Sequence, residues 1–396
     1  MPIPPASAGK CVLISMCSSN CLPHSWKSNK PMDQNTAKRY NRIKLILSLS
    51  GMIIDLLFWL VIIFSGVAIS LANVAYSQFS LSLFQFYLFV IILAAIYLLI
   101  NFPFSFASGF LVERRFALSN QTFLQWVWEQ IKGLLVAAVL GGVVLTIFYL
   151  LLVKYPNGWW VGVWLFLLIF SVLLTRLAPT LIFPLFYKFE PLERNELKEK
   201  LQKMGERWGL KITGVFRFNL SKTTRKANAA FTGLGKSKRV ILGDTLLNEF
   251  NEAEIESVFA HEIGHFVHRH LFKGILINSV LSLAGLYLVF YIYRNITGAL
   301  HLSQHSLEAL PYLGLLFFLF SQITSPLGNY ISRRFEYQAD RFAVAAMEKS
   351  EPFIESLKKL SRLNLADPHP HPLVEFLFYS HPSINNRIEK ITGEKV

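Results

Sequence analysis

Residues 261–265 read His261-Glu262-Ile263-Gly264-His265, and an apolar run begins at 271 and lasts to about 294. Residues four apart share one face of a helix, so two imidazoles at this spacing can grip one metal ion. Glu262 sits about 100° round the same helix, too far to join as a third ligand. It can reach a water beside that metal and take its proton. The stretch therefore points to metal-assisted hydrolysis on a helix that leads into an apolar span.

The rest of the chain supplies more spans. Apolar residues make up 53% of the 396, charged residues 16%, and phenylalanine alone occurs 34 times. That balance implies a polytopic membrane protein, mainly α, rather than a set of soluble domains. Segments of about 45–72, 81–101, 132–153, 159–183, 271–294 and 309–330 are long and apolar enough to span, and none alternates as a membrane barrel strand would. Asp55 and Arg176 fall inside the first and fourth spans, where a charge either serves function, pairs within the bundle or snorkels to an interface.

The net charge of +14 invites a nucleic-acid reading. The basic residues nevertheless cluster in particular loops: Lys27, Lys30, Lys38, Arg39, Arg42 and Lys44 before the first span, Arg114-Arg115 after the second, and Arg333-Arg334 after the sixth. With six spans and both termini in the cytosol, every basic segment falls on one side, as the positive-inside rule requires. The expected partners are membrane lipid and a protein or peptide substrate, not nucleic acid. Cys11, Cys17 and Cys21 match no zinc spacing, and a cytosolic position argues against disulfides. Residues 1–31 form a poor signal peptide and are expected to be disordered, with Met32 an alternative translation start.

The expected organisation is a basic, disordered segment over 1–42 and a four-span bundle over 43–186. A protease region carrying the HExxH helix follows over 187–270, then a two-span hairpin over 271–330 and the second half of the protease region over 331–396. Within 187–270, residues 192–208 have helical spacing, and β-like runs occur at Ile212–Phe218, Asn228–Thr232 and Arg239–Leu242. A helix should open near Asn251. Gly235-Lys236-Ser237 resembles the end of a phosphate loop, but Ala230 stands where that loop needs a glycine.

A catalytic zinc site usually holds three protein ligands. The best third candidate is Glu336, in Ser332-Arg333-Arg334-Phe335-Glu336-Tyr337-Gln338-Ala339-Asp340, where Asp340 lies four residues on and can accept the free ring N–H of a ligand histidine. The alternative is that both carboxylates pair with Arg333, Arg334 or Arg341. Two spans separate His265 from Glu336, an even number, so both return to one membrane face. His381 and Arg387 either stabilise an oxyanion or are structural. His268 and His270 continue the metal helix, His268 lying near enough to be a further candidate, and His369 and His371 read as solvated loop residues.

With these residues in hand, the chain resembles the type I CAAX prenyl protease family of integral-membrane zinc endopeptidases, from about residue 38 to the C-terminus. The resemblance rests on Asn120-Gln121-Thr122, Ala178-Pro179, Pro184-Leu185-Phe186, Asn228-Ala229, Asp244-Thr245-Leu246-Leu247, the HExxH stretch, Ser332 to Asp340, and Tyr379-Ser380-His381-Pro382 with Arg387. It implies one Zn2+ held by His261, His265 and Glu336, with Glu262 as general base, Asp340 behind the ligands, and His381 and Arg387 as transition-state stabilisers. It also implies that Asn228 and Ala229 bind an extended substrate by strand pairing. The implied architecture is a transmembrane helical barrel enclosing a chamber, with a gluzincin-like α+β protease region. Ala230 departs from the aromatic residue common in the family, and six spans resemble bacterial members rather than the usual seven of eukaryotic ones. The expectation is therefore a zinc metalloendopeptidase. It acts either in C-terminal processing of CAAX proteins, with prenylated substrates, or in bacterial membrane-protein quality control without them. Its expected location is the bacterial inner membrane, or the endoplasmic reticulum membrane in a eukaryote. A metal transporter, the alternative of another class, would place its ligands near mid-membrane.

Overall fold

The computed structural model describes residues 34–232 and 237–394. The expectations for residues 1–31, including the Met32 start and the cysteines, lie outside the described residues. Six described helical stretches are long and apolar enough to cross a membrane, in the order expected.

Helix α1 (Gln34–Phe64) is followed by a separate α2 (Val67–Gln78). The single span expected over 45–72 is thus divided at Ser65-Gly66. Gly66 takes φ 80, a left-handed conformation that ends a helix cheaply only at glycine. Helix also begins at Gln34, inside the segment assigned to disorder. Helix α3 (Ser82–Phe106) runs through a π-helical segment, Ala107–Val112, into the short α4 (Glu113–Arg115). Helix α5 (Phe123–Lys154) opens on a capping box: the Thr122 N–H donates to Gln125 Oε1 at 2.9 Å, and the Gln125 N–H donates to Thr122 Oγ1 at 3.3 Å. Helix α6 (Trp159–Leu177) leads through a second π-helical segment to α7 (Phe183–Phe186). Of the two intramembrane charges, Asp55 accepts from Asn101 Nδ2 at 3.3 Å, whereas Arg176 is exposed in the last turn of α6.

The protease region begins with β1 (Phe189–Pro191), α8 (Asn195–Arg207) and β2 (Lys211–Phe218), followed by β3 (Ala229–Thr232) and β4 (Ser237–Gly243). The strands form one sheet in the order β1-β2-β4-β3, with β2 and β4 parallel and both outer pairs antiparallel. β3 is therefore an edge strand, in register Ala229 to Leu242 and Thr232 to Arg239. Leu197 and Leu201 of α8 are fully buried against the sheet. The short α9 (Asp244–Glu249) starts at Asp244, whose buried carboxylate accepts the Ser221 N–H at 2.8 Å, the Thr245 N–H at 2.9 Å and the Ser221 hydroxyl at 2.5 Å.

Helix α10 (Glu252–Val267) carries the HExxH stretch, α11 (His270–Ala299) is the fifth span, and α12 (Leu310–Met347) contains the sixth. α12 is one helix of 38 residues, so the boundary expected between 330 and 331 falls inside it. At 1.5 Å per residue it is about 57 Å long, well beyond an apolar core of about 30 Å. The excess carries Glu336 and Asp340 to the same end as α10. Helices α13 (Glu351–Asn364), α14 (Pro372–Phe378) and α15 (Ile384–Thr392) complete the chain.

Candidate active site

The α10 helix is fixed at its start. Asn251 and Glu254 form a capping box, and Lys359 of α13 donates to Glu254 Oε2 at 2.7 Å. Ile255, Phe259 and Ile263, four residues apart, bury one stripe against the sheet core. Two positions further round, at about 200°, His261 and His265 face the other way, toward α12. Ala260 and Gly264 make that approach close. A Cβ on Gly264 would lie 2.9 Å from Ala339 Cα and 3.1 Å from its carbonyl oxygen, so only glycine fits without parting the two helices.

This packing brings Glu336 against both histidines. His261 Nε2 lies 3.1 Å from His265 Nε2 and 3.4 Å from Glu336 Oε2, while His265 Nε2 lies 3.4 Å from Glu336 Oε1. All three residues can offer a ligand atom within 4.8 Å of one another. Ligands held about 2.0–2.1 Å from one tetrahedral transition-metal ion are about 3.4 Å apart, so the donor set fits such an ion in type and spacing. The histidines precede α11, and Glu336 lies in the C-terminal third of the long α12, so the group sits toward helix ends, unlike the mid-membrane ligands expected of a transporter.

The carboxylates are not taken up by their arginine neighbours. Asp340 accepts from Arg387 Nε at 2.8 Å and Nη2 at 2.5 Å, and its Oδ1 lies 2.9 Å from His261 Nδ1. Arg387 Nη2 also lies 3.8 Å from Glu336 Oε2, and the guanidinium is buried. Arg387, expected at an oxyanion, lines the cavity while its Nε and Nη2 are engaged with Asp340. Burial lowers the pKa of the His261 imidazole, but its hydrogen bonds to Asp340 and Glu336 outweigh this and hold it up to about 9. Burial pushes the Glu262 carboxyl above the ordinary carboxylate range, with the neighbouring His261 and His265 acting against it.

His381 is two-thirds exposed, and its Nδ1 lies 3.1 Å from Glu336 Oε2. Its segment is held by residues that sequence reasoning missed. Buried Arg333 donates through Nη1 to the carbonyls of Glu375 at 2.9 Å and Tyr379 at 2.5 Å. Glu375 in turn accepts from the Ser383 N–H at 3.2 Å and from Asn386 Nδ2 at 2.9 Å. His371 caps α14 and His369 pairs with Asn385, so both stay outside the site, as does His268. A cavity of about 390 Å³ is lined by His261, Glu262, Glu336 and His381, and also by Asn228 and Ala229 at the sheet edge.

Comparison with known proteins agrees with this geometry. Residues 191–395 match peptidase family M48, and residues 16–188 match the CAAX prenyl protease N-terminal region described as five membrane helices. The chain is 30% identical over 371 residues to the uncharacterized metalloprotease YhfN of Bacillus subtilis, covering 92% of this chain and 87% of that one. It is 31% identical over 321 residues to CAAX prenyl protease 1 of Saccharomyces cerevisiae, covering 76% and 70%. The crystal structure of S. mikatae Ste24p superposes with a TM-score of 0.82 at 27% identity, covering 92% of this chain and 90% of the other. The expected membrane barrel around a chamber is the fold they share. With the motif, the ligand geometry and these similarities together, the chain belongs to peptidase family M48 and is a membrane metalloprotease.

Proposed function

We propose that this chain is a zinc endopeptidase that cleaves an extended peptide segment laid beside β3. The observation that carries the reading is the meeting of the His261–His265–Glu336 group, Glu262, His381 and the edge residues Asn228 and Ala229 around one cavity. His261, His265 and Glu336 would hold the zinc, which when bound would supply Lewis acidity toward a carbonyl and lower the pKa of a water beside it. Glu262 takes the water's proton and returns it to the leaving amine. His381, with Nδ1 against Glu336, offers its other ring nitrogen to the developing oxyanion. Asp340 accepts the Nδ1 proton of His261, and Arg387 holds Asp340, so Arg387 acts as a positioning residue. The Asn228 carbonyl is taken by the Gly243 N–H of β4, so at the Asn228-Ala229 edge it is the outward-facing backbone of Ala229 that pairs with the substrate as an added strand.

Both termini face the cytosol in this reading, with the site on that side. The first substrate class is prenylated CAAX proteins, processed at their C-terminus in the manner named for the yeast relative. The second is membrane proteins without a prenyl group. It goes with a bacterial inner membrane rather than the endoplasmic reticulum, and the metalloprotease relative from Bacillus subtilis supports that setting.

The deciding experiment compares wild type and Glu262→Gln in detergent, with and without a zinc chelator, on a farnesylated CAAX peptide and on an unprenylated, loosely folded membrane protein. Glu262→Gln should retain zinc and lose about 10²–10⁴-fold in kcat. Cleavage of the prenylated peptide alone supports the first class, and cleavage of the second substrate supports the other. Wild-type turnover by the variant would sink the mechanism.

A further inference from the structure

The two ligand histidines are held from behind by different chemistry. His261 Nδ1 faces the Asp340 carboxylate, as described. His265 Nδ1 instead lies 2.9 Å from Nδ1 of His270, and His270 Nε2 lies 2.8 Å from Gln338 Oε1. The His270 ring is buried and stacks on Phe335 with centroids 4.3 Å apart and planes at 7°.

Sequence spacing alone would not make this contact. On a continuous helix, residues five apart point about 140° away from each other. The expected continuous helix instead ends at Val267, and Arg269 takes φ 54, ψ 38 before α11 opens at His270. That left-handed residue folds His270 back onto His265. A non-glycine residue is strained in that conformation, so its surroundings must hold it.

The direction of each hydrogen bond follows from the role of His265. To present an Nε2 lone pair to a cation, its single ring proton must sit on Nδ1. That N–H donates to His270 Nδ1, which must then be an acceptor. His270 is therefore neutral, with its proton on Nε2, and this N–H donates to Gln338 Oε1. One arrangement satisfies all three groups. We propose that His270 and Gln338 form a positioning pair that fixes the tautomer and ring orientation of His265 for metal binding. The inference rests on the metal reading above and concerns residues outside the motif. Because the pair adds no net charge, it orients the ligand without further neutralising the cation, unlike the carboxylate behind His261.

The test is zinc release from purified wild type, His270→Phe, Gln338→Leu and Gln338→Glu to excess chelator, with KM and kcat on a peptide measured alongside. His270→Phe keeps a ring to stack on Phe335 but has no acceptor. Gln338→Leu lets the His270 tautomer reverse. Both should weaken zinc binding, His270→Phe by about 10–100-fold, and should lower kcat with KM unchanged. Gln338→Glu, which keeps the acceptor, should hold zinc at least as well as wild type. If His270→Phe does not fold, Gln338→Leu at a half-buried position decides. Wild-type release rates from both His270→Phe and Gln338→Leu would overturn the positioning role. A wild type that binds no zinc would overturn the metal reading and this inference with it.

Discussion

In the proposed metal site, His261 is expected to set the pH dependence of loading. Against the lowering effect of burial, hydrogen bonds to Asp340 and Glu336 hold its imidazole up to about 9, above the ordinary value, which favours the protonated form across the neutral range. A metal must expel that proton to reach Nε2. Apparent affinity should therefore rise by about tenfold per pH unit up to about 9 and flatten above it. The same raised pKa stabilises the metal-free fold fully below 6.5, and this contribution is lost as pH rises through 9. Chelator competition between pH 6.5 and 10 measures the first effect, and a flat profile would contradict it. Asp340 makes the shift possible because Arg387 keeps it ionised and in place while it faces the ring.

At the scale of elements, the site depends on how closely α10 and α12 approach. Gly264→Ala would ordinarily favour a helix by about 1 kcal/mol. Here its Cβ would meet the Ala339 backbone at 2.9 Å, and backbone cannot move aside as a flexible side chain can. The helices must separate, at a cost of about 1–3 kcal/mol, and Glu336 leaves both histidines. The expected outcome is a lower melting temperature together with metal content well below one per chain, read by elemental analysis. A fully loaded Gly264→Ala protein would show that the close contact is not what sets the ligand spacing. Arg333 works on the other element: by binding the carbonyls of Glu375 and Tyr379 it ties the α14 end, and so His381, to the helix that carries Glu336.

At the scale of the molecule, the spans and the protease region are joined beside the edge strand β3, where substrate is proposed to lie. Glu113 of α4 accepts from the Tyr40 hydroxyl at 2.6 Å and Lys44 at 3.2 Å, both on α1, and from Lys226 at 3.0 Å, two residues before Asn228. Asn120 adds bonds to Ser221 and Arg225. Glu113→Gln leaves two partly buried lysines without their countercharge, at a cost of about 1–3 kcal/mol. Thermal stability should fall and KM for a peptide should rise, because the 226–229 segment loosens, while metal content stays at wild-type level. An unchanged KM would place the joint outside substrate binding.

Much of this was legible in the chain itself. Helical periodicity and apolar length are local properties, so the six spans, three of the four strands and the HExxH helix follow from composition and spacing, whereas the three-residue β1 is too short to leave a pattern. An even number of spans between His265 and Glu336 is enough to return both to one face. Other features depend on one backbone angle or one interhelix contact, and periodicity does not encode these. Gly66 divides the first apolar stretch, and Arg269 turns His270 onto His265. Arg387 pairs with Asp340, although Arg333, Arg334 and Arg341 stand nearer in the sequence. Sequence determined which groups could meet at the membrane face; tertiary packing decided which of them do, because a hydrogen bond forms within about 3 Å in space whatever the separation along the chain.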